Sequence, residues 1–241
     1  MAESMTANPS CRLAFVTGPS GAGKSHVRKT LAEDQSTAGA VLIDFDTVLP
    51  AATLRAFPFF RSWYDSEWSI WKAVANSETW TDRGEKIQHC PMDVVTPFRL
   101  AIEQQANVAG THIYETDPKV RSAGSRKLRT GRRVLVDGSQ VTDGWMRNTV
   151  ANVFRSYHAA VDVSLFVIRP DADRLSTQRR HRGGSSVDVG RDDVEACRQA
   201  LRSYDSWLSN SGEGAGYADR QVLTSSDEAV AAVRDWWARS D

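Results

Sequence analysis

Gly18-Pro19-Ser20-Gly21-Ala22-Gly23-Lys24-Ser25 fits the pattern G-x-x-x-x-G-K-[ST]. Before it runs Leu13-Ala14-Phe15-Val16-Thr17, an apolar stretch that suits a strand buried on both faces of a sheet. After it, helix formers from Lys24 to about Asp34 carry Val27 and Leu31 four apart. Strand, glycine-rich turn and helix is the context in which this pattern cradles phosphate. Glycines let the loop curl so that backbone N–H groups point inward, and the helix N-terminus adds the positive end of its dipole. Gly18, Ser20, Gly21, Ala22 and Gly23 are thus expected to line a nucleoside triphosphate site. Lys24 would reach its β and γ phosphates, and the Ser25 hydroxyl would serve Mg²⁺.

Outward from the loop, short buried strands alternate with amphipathic helices. Val41-Leu42-Ile43-Asp44-Phe45, Val134-Leu135-Val136, Leu165-Phe166-Val167-Ile168 and Gln221-Val222-Leu223-Thr224 read as further strands. Between and after them, Trp145, Val150, Val153, Phe154 and Tyr157 line one helical face, as do Val194, Cys197, Leu201, Tyr204 and Leu208. Ala229, Val230, Val233 and Trp237 line another. The alternation predicts an α/β fold with a five-stranded parallel sheet, order 2-3-1-4-5, flanked by helices and forming one domain over 1–241.

Roughly ninety residues separate the second and third strands, where a minimal crossover needs about thirty. A helical substrate-binding insertion is expected at about 50–125. Ser62 with Asp65 can cap a helix bearing Tyr64, Trp68, Trp71 and Ala75, and Thr96-Pro97 can open one with Phe98, Ile102, Ala106 and Ala109. The aromatic run from Phe57 to Trp80 either walls a pocket for a ringed acceptor or packs a core.

The strand ends nominate the chemistry. Asp44-Phe45-Asp46 closes the second strand, and alternation within a strand would put both carboxylates on one side. One can serve Mg²⁺ while the other accepts a proton from an attacking hydroxyl. Asp137, closing the third strand, is placed like a Walker B acid and is a second candidate for the metal. After the fourth strand comes a lid, about 171–192, in which Arg174, Arg179, Arg180 and Arg182 precede Gly183-Gly184. Guanidinium groups suit charge that spreads over a transferring phosphoryl group. The cluster Lys119, Arg121, Arg126, Lys127, Arg129, Arg132 and Arg133 is either solvated surface or a hold for an anionic acceptor.

With these residues in view, the chain resembles the small-molecule kinases that carry this loop, among them shikimate, gluconate and adenylylsulfate kinases and chloramphenicol phosphotransferase. Residues 18–25 are similar to the loop of the adenylylsulfate and gluconate enzymes. Asp44-Phe45-Asp46 resembles the Asp-x-Asp of shikimate kinase, and Asp46-Thr47-Val48-Leu49-Pro50 an Asp-containing stretch of chloramphenicol phosphotransferase. The resemblance implies Asp46 as base and Asp44 at the metal. It also implies lid arginines on the adenine and the γ-phosphate, with Arg174, Thr224 and Ser225 bordering the nucleotide. Asp137-Gly138-Ser139-Gln140 lacks the Phe-Pro-Arg that follows Asp-Gly in adenylate kinase.

Charge and composition exclude other classes. Thirty basic and thirty acidic residues give zero formal net charge, so no global field draws the chain to nucleic acid or membrane. Cys11, Cys90 and Cys197 are odd in number and far apart, and residues 1–10 form no apolar run, which together predict a reducing cytoplasm. The expected activity is transfer of the γ-phosphate of ATP or GTP, with Mg²⁺, to a hydroxyl of a small molecule such as an antibiotic, nucleoside or sugar derivative. Arg179 or Arg180 would assist Lys24 at the transferring group. The rivals are phosphorylation of an already phosphorylated acceptor and a nucleotide-dependent switch or simple NTPase, although the Asn-Lys-x-Asp of GTPase switches is absent.

Overall fold

The computed structural model describes residues 11–48, 80–82, 85–87, 99–102, 133–142, 144–156, 158, 160–182, 193–209 and 219–239. In chain order these hold β1 (Cys11–Thr17), α1 (Lys24–Glu33), β2 (Val41–Asp44), β3 (Trp80–Asp82), β4 (Glu85–Ile87), β5 (Arg133–Asp137) and α2 (Gly144–Arg155). They continue with β6 (Val161–Ile168), α3 (Ala172–His181), α4 (Val194–Ser209), β7 (Asp219–Leu223) and α5 (Ser226–Ala238).

Five strands make one sheet in the order β2-β5-β1-β6-β7, which is the expected 2-3-1-4-5 once the small β3-β4 pair is set aside. β1 runs parallel to β5 on one side and to β6 on the other, and β6 runs parallel to β7. β1 occupies the centre because both its faces are apolar: Leu13, Ala14, Phe15 and Val16 are fully buried. On one face Ala14, Val16 and Phe166 pack with Val27 and Leu31 of α1 and with Ala229, Val233 and Trp236 of α5. The Trp236 ring meets Phe166 edge-on at 6.1 Å. Met146, Val150 and Phe154 of α2 are also fully buried. Each such side chain contributes about 1.5–3 kcal/mol on removal from water. A phosphate-loop sequence joining the central strand to the first helix of a 2-3-1-4-5 sheet makes this a P-loop NTPase fold.

The chain divides into two compact units, 1–42 with 130–241, and 43–129. Within the second, the described residues include an antiparallel hairpin that pairs Trp80 with Ile87 and Asp82 with Glu85, and a helical segment at 99–102. The hairpin was not expected in a helical insertion. Its signal was the pair Arg83-Gly84 between two short runs carrying Trp, Thr and Ile. The aromatic run at 57–79, the expected helix at 62–75, most of the one at 96–109, the basic cluster at 119–132 and the lid residues 183–192 lie outside the described residues.

One expectation is corrected. β2 ends at Asp44, and residues 45–48 are helical. The Oδ1 of Asp44 accepts a hydrogen bond from the Asp46 backbone N–H at 3.0 Å. Asp44 therefore caps this helical turn, an interaction that an Asp side chain favours over continuing a strand. Period-two alternation does not extend to Asp46, so it cannot be used to put the two carboxylates on one side.

Candidate functional site

Two glycines let the loop take its path. Gly23 has φ +98° at the N-cap of α1, a left-handed conformation that a side chain would strain, and a Cβ there would come within 2.9 Å of Ser226 Cβ. A Cβ on Gly18 would collide with the Ile168 carbonyl oxygen at the end of β6. The loop is thus packed against the ends of neighbouring elements, and backbone must approach where no side chain fits.

Lys24 is almost fully buried. Its Nζ donates to the carbonyl oxygens of Gly18 at 2.9 Å and Pro19 at 3.1 Å, which holds the ammonium inside the loop. Ser25 follows in the first turn of α1, half-buried, and Ala22 within the loop is buried. The register aligns Asp137 with Val16, one strand over and two residues before Gly18. Asp137 is buried, and its Oδ1 accepts from Arg28 Nε of α1 at 2.7 Å. The third-strand acid therefore lies beside the loop's strand with a cation from the loop's own helix on it.

The helix α3, which falls in the stretch expected to form a lid, reaches the same loop. It is capped by Asp171, whose side chain accepts from Arg174 N at 2.7 Å. Arg179 is buried, and its Nε donates to the Ser20 carbonyl at 2.9 Å, while its stem crosses Gly21 so closely that a Cβ there would sit 2.8 Å from Arg179 Cγ. Arg180 instead bonds the Ser176 hydroxyl of its own helix at 2.7 Å. Of the two lid arginines nominated by sequence, the structure brings Arg179 to the loop.

Thr224 and Ser225 approach the loop through their neighbour Ser226, which packs against Gly23. Both take part in capping α5. Ser225 Oγ accepts from Glu228 N at 3.1 Å, and the Glu228 carboxylate accepts from the Thr224 N–H and hydroxyl, each at 2.8 Å. Those bonds, the backbone one foremost, hold the Glu228 carboxyl below its ordinary range, with the Arg174 guanidinium adding to the effect. Arg174 itself is exposed. Asp44 and Asp46 belong to the unit 43–129, where Asp46 is exposed and Asp44 caps its turn.

Four residues of the unit that holds the loop escaped sequence reading. Tyr204 of α4 donates its hydroxyl to the Gly18 carbonyl at 2.7 Å. Arg28 holds Asp137, Arg169 forms a two-bond pair with Asp205 at 2.5 and 2.7 Å, and the fully buried Arg147 donates to the Val141 carbonyl at 2.5 Å. Tyr204 had been counted only as part of an apolar helical face, and nothing local marks a tyrosine whose partner lies 186 positions away. Arg133, counted in the basic cluster, donates to the Ser36 carbonyl and so belongs to the scaffold. Cys11 and Cys197 are buried thiols, and burial, with Asp162 adding to it, pushes Cys11 up to about 12. No group of metal ligands occurs among the described residues, nor does any helix long and apolar enough to cross a membrane.

No protein-family model matches the chain, and no curated protein matches it. Among solved structures it is similar to a gluconokinase from Sinorhizobium meliloti 1021, with 17% identity, a TM-score of 0.44, and 97% of this chain and 94% of that one covered. It is also similar to an uncharacterized protein from Eubacterium ventriosum ATCC 27560, with 12% identity, a TM-score of 0.42, and 94% and 97% covered. The fold rests on the sheet order and the loop of the chain itself.

Proposed function

We propose that the chain is a small-molecule kinase that uses ATP or GTP with Mg²⁺ to phosphorylate a hydroxyl group. The observation that carries this reading is the loop at 18–25 between the central strand and α1, with Lys24 held inside it and Arg179 of the lid bonded to its rim. Anion-binding backbone, a buried ammonium and an arginine from a separate element form the donor set that a triphosphate and its transferring group require. A binding-only module has no comparable need for the lid arginine.

In this reading the loop N–H groups and Lys24 hold the β and γ phosphates. Mg²⁺, when bound, would neutralise phosphate charge, with the Ser25 hydroxyl and the carboxylates of Asp137 or Asp44 as its protein partners. The presence of a buried carboxylate one strand from the loop is what makes the donor set suit a hard cation. Asp46 takes the proton of the acceptor hydroxyl as its oxygen bonds to the γ-phosphorus. The bond from that phosphorus to the bridging oxygen breaks, and the nucleoside diphosphate leaves with the electron pair. Arg179, and Arg180 after a lid movement, supplies positive charge to the equatorial oxygens. Arg174, Thr224 and Ser225 border the base. An antibiotic, nucleoside or sugar derivative is the acceptor class, and the buried thiols suit work in a reducing cytoplasm.

The test is nucleotide consumption by the purified protein with Mg²⁺-ATP and Mg²⁺-GTP, alone and with a panel of nucleosides, nucleotides, sugars and hydroxylated antibiotics. Turnover that depends on an unphosphorylated hydroxylated acceptor is the expected result. Turnover indifferent to every acceptor would contradict the kinase reading in favour of a simple NTPase.

A further inference from the structure

The Gly18 carbonyl, at the start of the loop, receives two side chains. Lys24 Nζ donates to it at 2.9 Å and the Tyr204 hydroxyl at 2.7 Å. Gly18 is buried, so its carbonyl cannot turn to solvent for a substitute partner. A carbonyl oxygen has two lone pairs and can hold both donors at once. The two donors differ in what binding asks of them. On the kinase reading, on which this inference rests, Lys24 must swing from loop carbonyls to phosphate oxygens each time a nucleotide enters. Tyr204 need not move.

Tyr204 is built to stay. It lies half-buried on α4, a sixteen-residue helix that packs along the lid helix. Its ring meets Trp207 edge-on at 6.1 Å and 80°. The guanidinium of the fully buried Arg147 in turn lies 5.7 Å from the centre of the Trp207 ring. On the neighbouring position, Asp205 ties α4 to Arg169 at the end of β6 through two bonds. The phenol is therefore anchored from below while its hydroxyl reaches the loop, 3.5 Å from Thr17 Oγ1.

We propose that Tyr204 is a positioning residue that keeps the Gly18 carbonyl hydrogen-bonded when Lys24 leaves it, so that the loop lysine can transfer to the nucleotide phosphates without stranding a buried acceptor. A buried acceptor left bare is far more costly than one bond of two lost. Removing the hydroxyl should thus act little on the nucleotide-free protein, where Lys24 still bonds the carbonyl, and strongly on the nucleotide complex, where it does not.

The experiment compares the parent, Tyr204→Phe, Lys24→Met and the double variant, with two readouts. Tyr204→Phe keeps the ring against Trp207, so it removes the hydroxyl alone. In urea unfolding without nucleotide, each single variant should lower the midpoint slightly, and the double variant by more than the two falls together, because only then does Gly18 lose both donors. In calorimetric titration with the β,γ-imido analogues of ATP and GTP plus Mg²⁺, Tyr204→Phe should bind about 5- to 100-fold more weakly than the parent. Additive urea midpoints, or analogue binding that Tyr204→Phe leaves unchanged, would overturn the proposal. A parent that binds neither analogue would overturn the kinase reading and this role with it. The nucleotide-free urea cycle separates that case from one in which the shared carbonyl itself is wrong.

Discussion

Asp46 carries the heaviest chemical assignment in the chain, and its local structure is that of a residue held by its neighbour. Asp44 caps the turn that begins at Phe45, so the Asp46 backbone is fixed while its carboxylate stays exposed. A base needs that access. Asp46→Asn should cut acceptor-dependent turnover by about 10²- to 10⁴-fold and leave nucleotide affinity within about twofold, as expected for loss of a general base alone. Steady-state kinetics beside calorimetric binding checks both halves, and a fully active variant would reject the assignment. At this scale the sequence was legible where a contiguous pattern dictates the backbone path. Gly18 to Ser25 could be placed because glycines and a lysine at this spacing after a buried strand predict a tight loop leading into a helix, and β1, the loop and α1 follow in that order. Tyr204 and Arg28 could not, because their partners Gly18 and Asp137 come together with them only through the fold.

Helix termini decide what reaches the loop. α5 begins with a reciprocal cap in which Ser225 serves the Glu228 N–H and Glu228 serves Thr224, and Ser226 then packs on Gly23. Ser225→Ala should lower stability by about 1 kcal/mol, read as a fall in the unfolding midpoint at constant slope. α4 is tied to β6 by Asp205 and Arg169. The hydrogen bond from Arg169, and then its charge, hold the Asp205 carboxyl below its ordinary range. Since the folded state favours the ionised form, the stabilisation is complete above the unfolded carboxylate's titration near 3.8 and is lost as pH falls through the depressed folded value. Asp205→Asn should therefore unfold at lower urea than the parent at pH 7, with the gap closing in acid. Both side chains are partly exposed, so the gap should stay below about 1 kcal/mol. All five sheet strands and their flanking helices were legible from period and punctuation, with ends shifted by one to four residues. The end of β2 was not, since a capping Asp and an alternating Asp look alike in Asp44-Phe45-Asp46. The β3-β4 pair was missed because its three-residue strands are too short for periodicity to register.

Across the whole molecule, a neutral chain gathers the groups proposed to hold phosphate at one edge of a parallel sheet. The ends of β1 and β5 are level there, with Val16 opposite Asp137, and the loop, α1, α3, α4 and the start of α5 converge on it. A sheet buried on both faces gives those groups a fixed frame, and the carbonyls of Gly18 and Ser20 are the points at which helices from distant parts of the chain take hold. On the kinase reading, this edge moves a phosphoryl group to an acceptor. The fate of that group tests it most directly: with ATP or GTP carrying ¹⁸O on the γ-phosphorus, mass spectrometry follows the label through turnover with a hydroxylated acceptor. The labelled phosphoryl group should arrive intact on the acceptor, and a Lys24→Met variant should form none of this product. Label appearing only in inorganic phosphate, at a rate no acceptor changes, would contradict it.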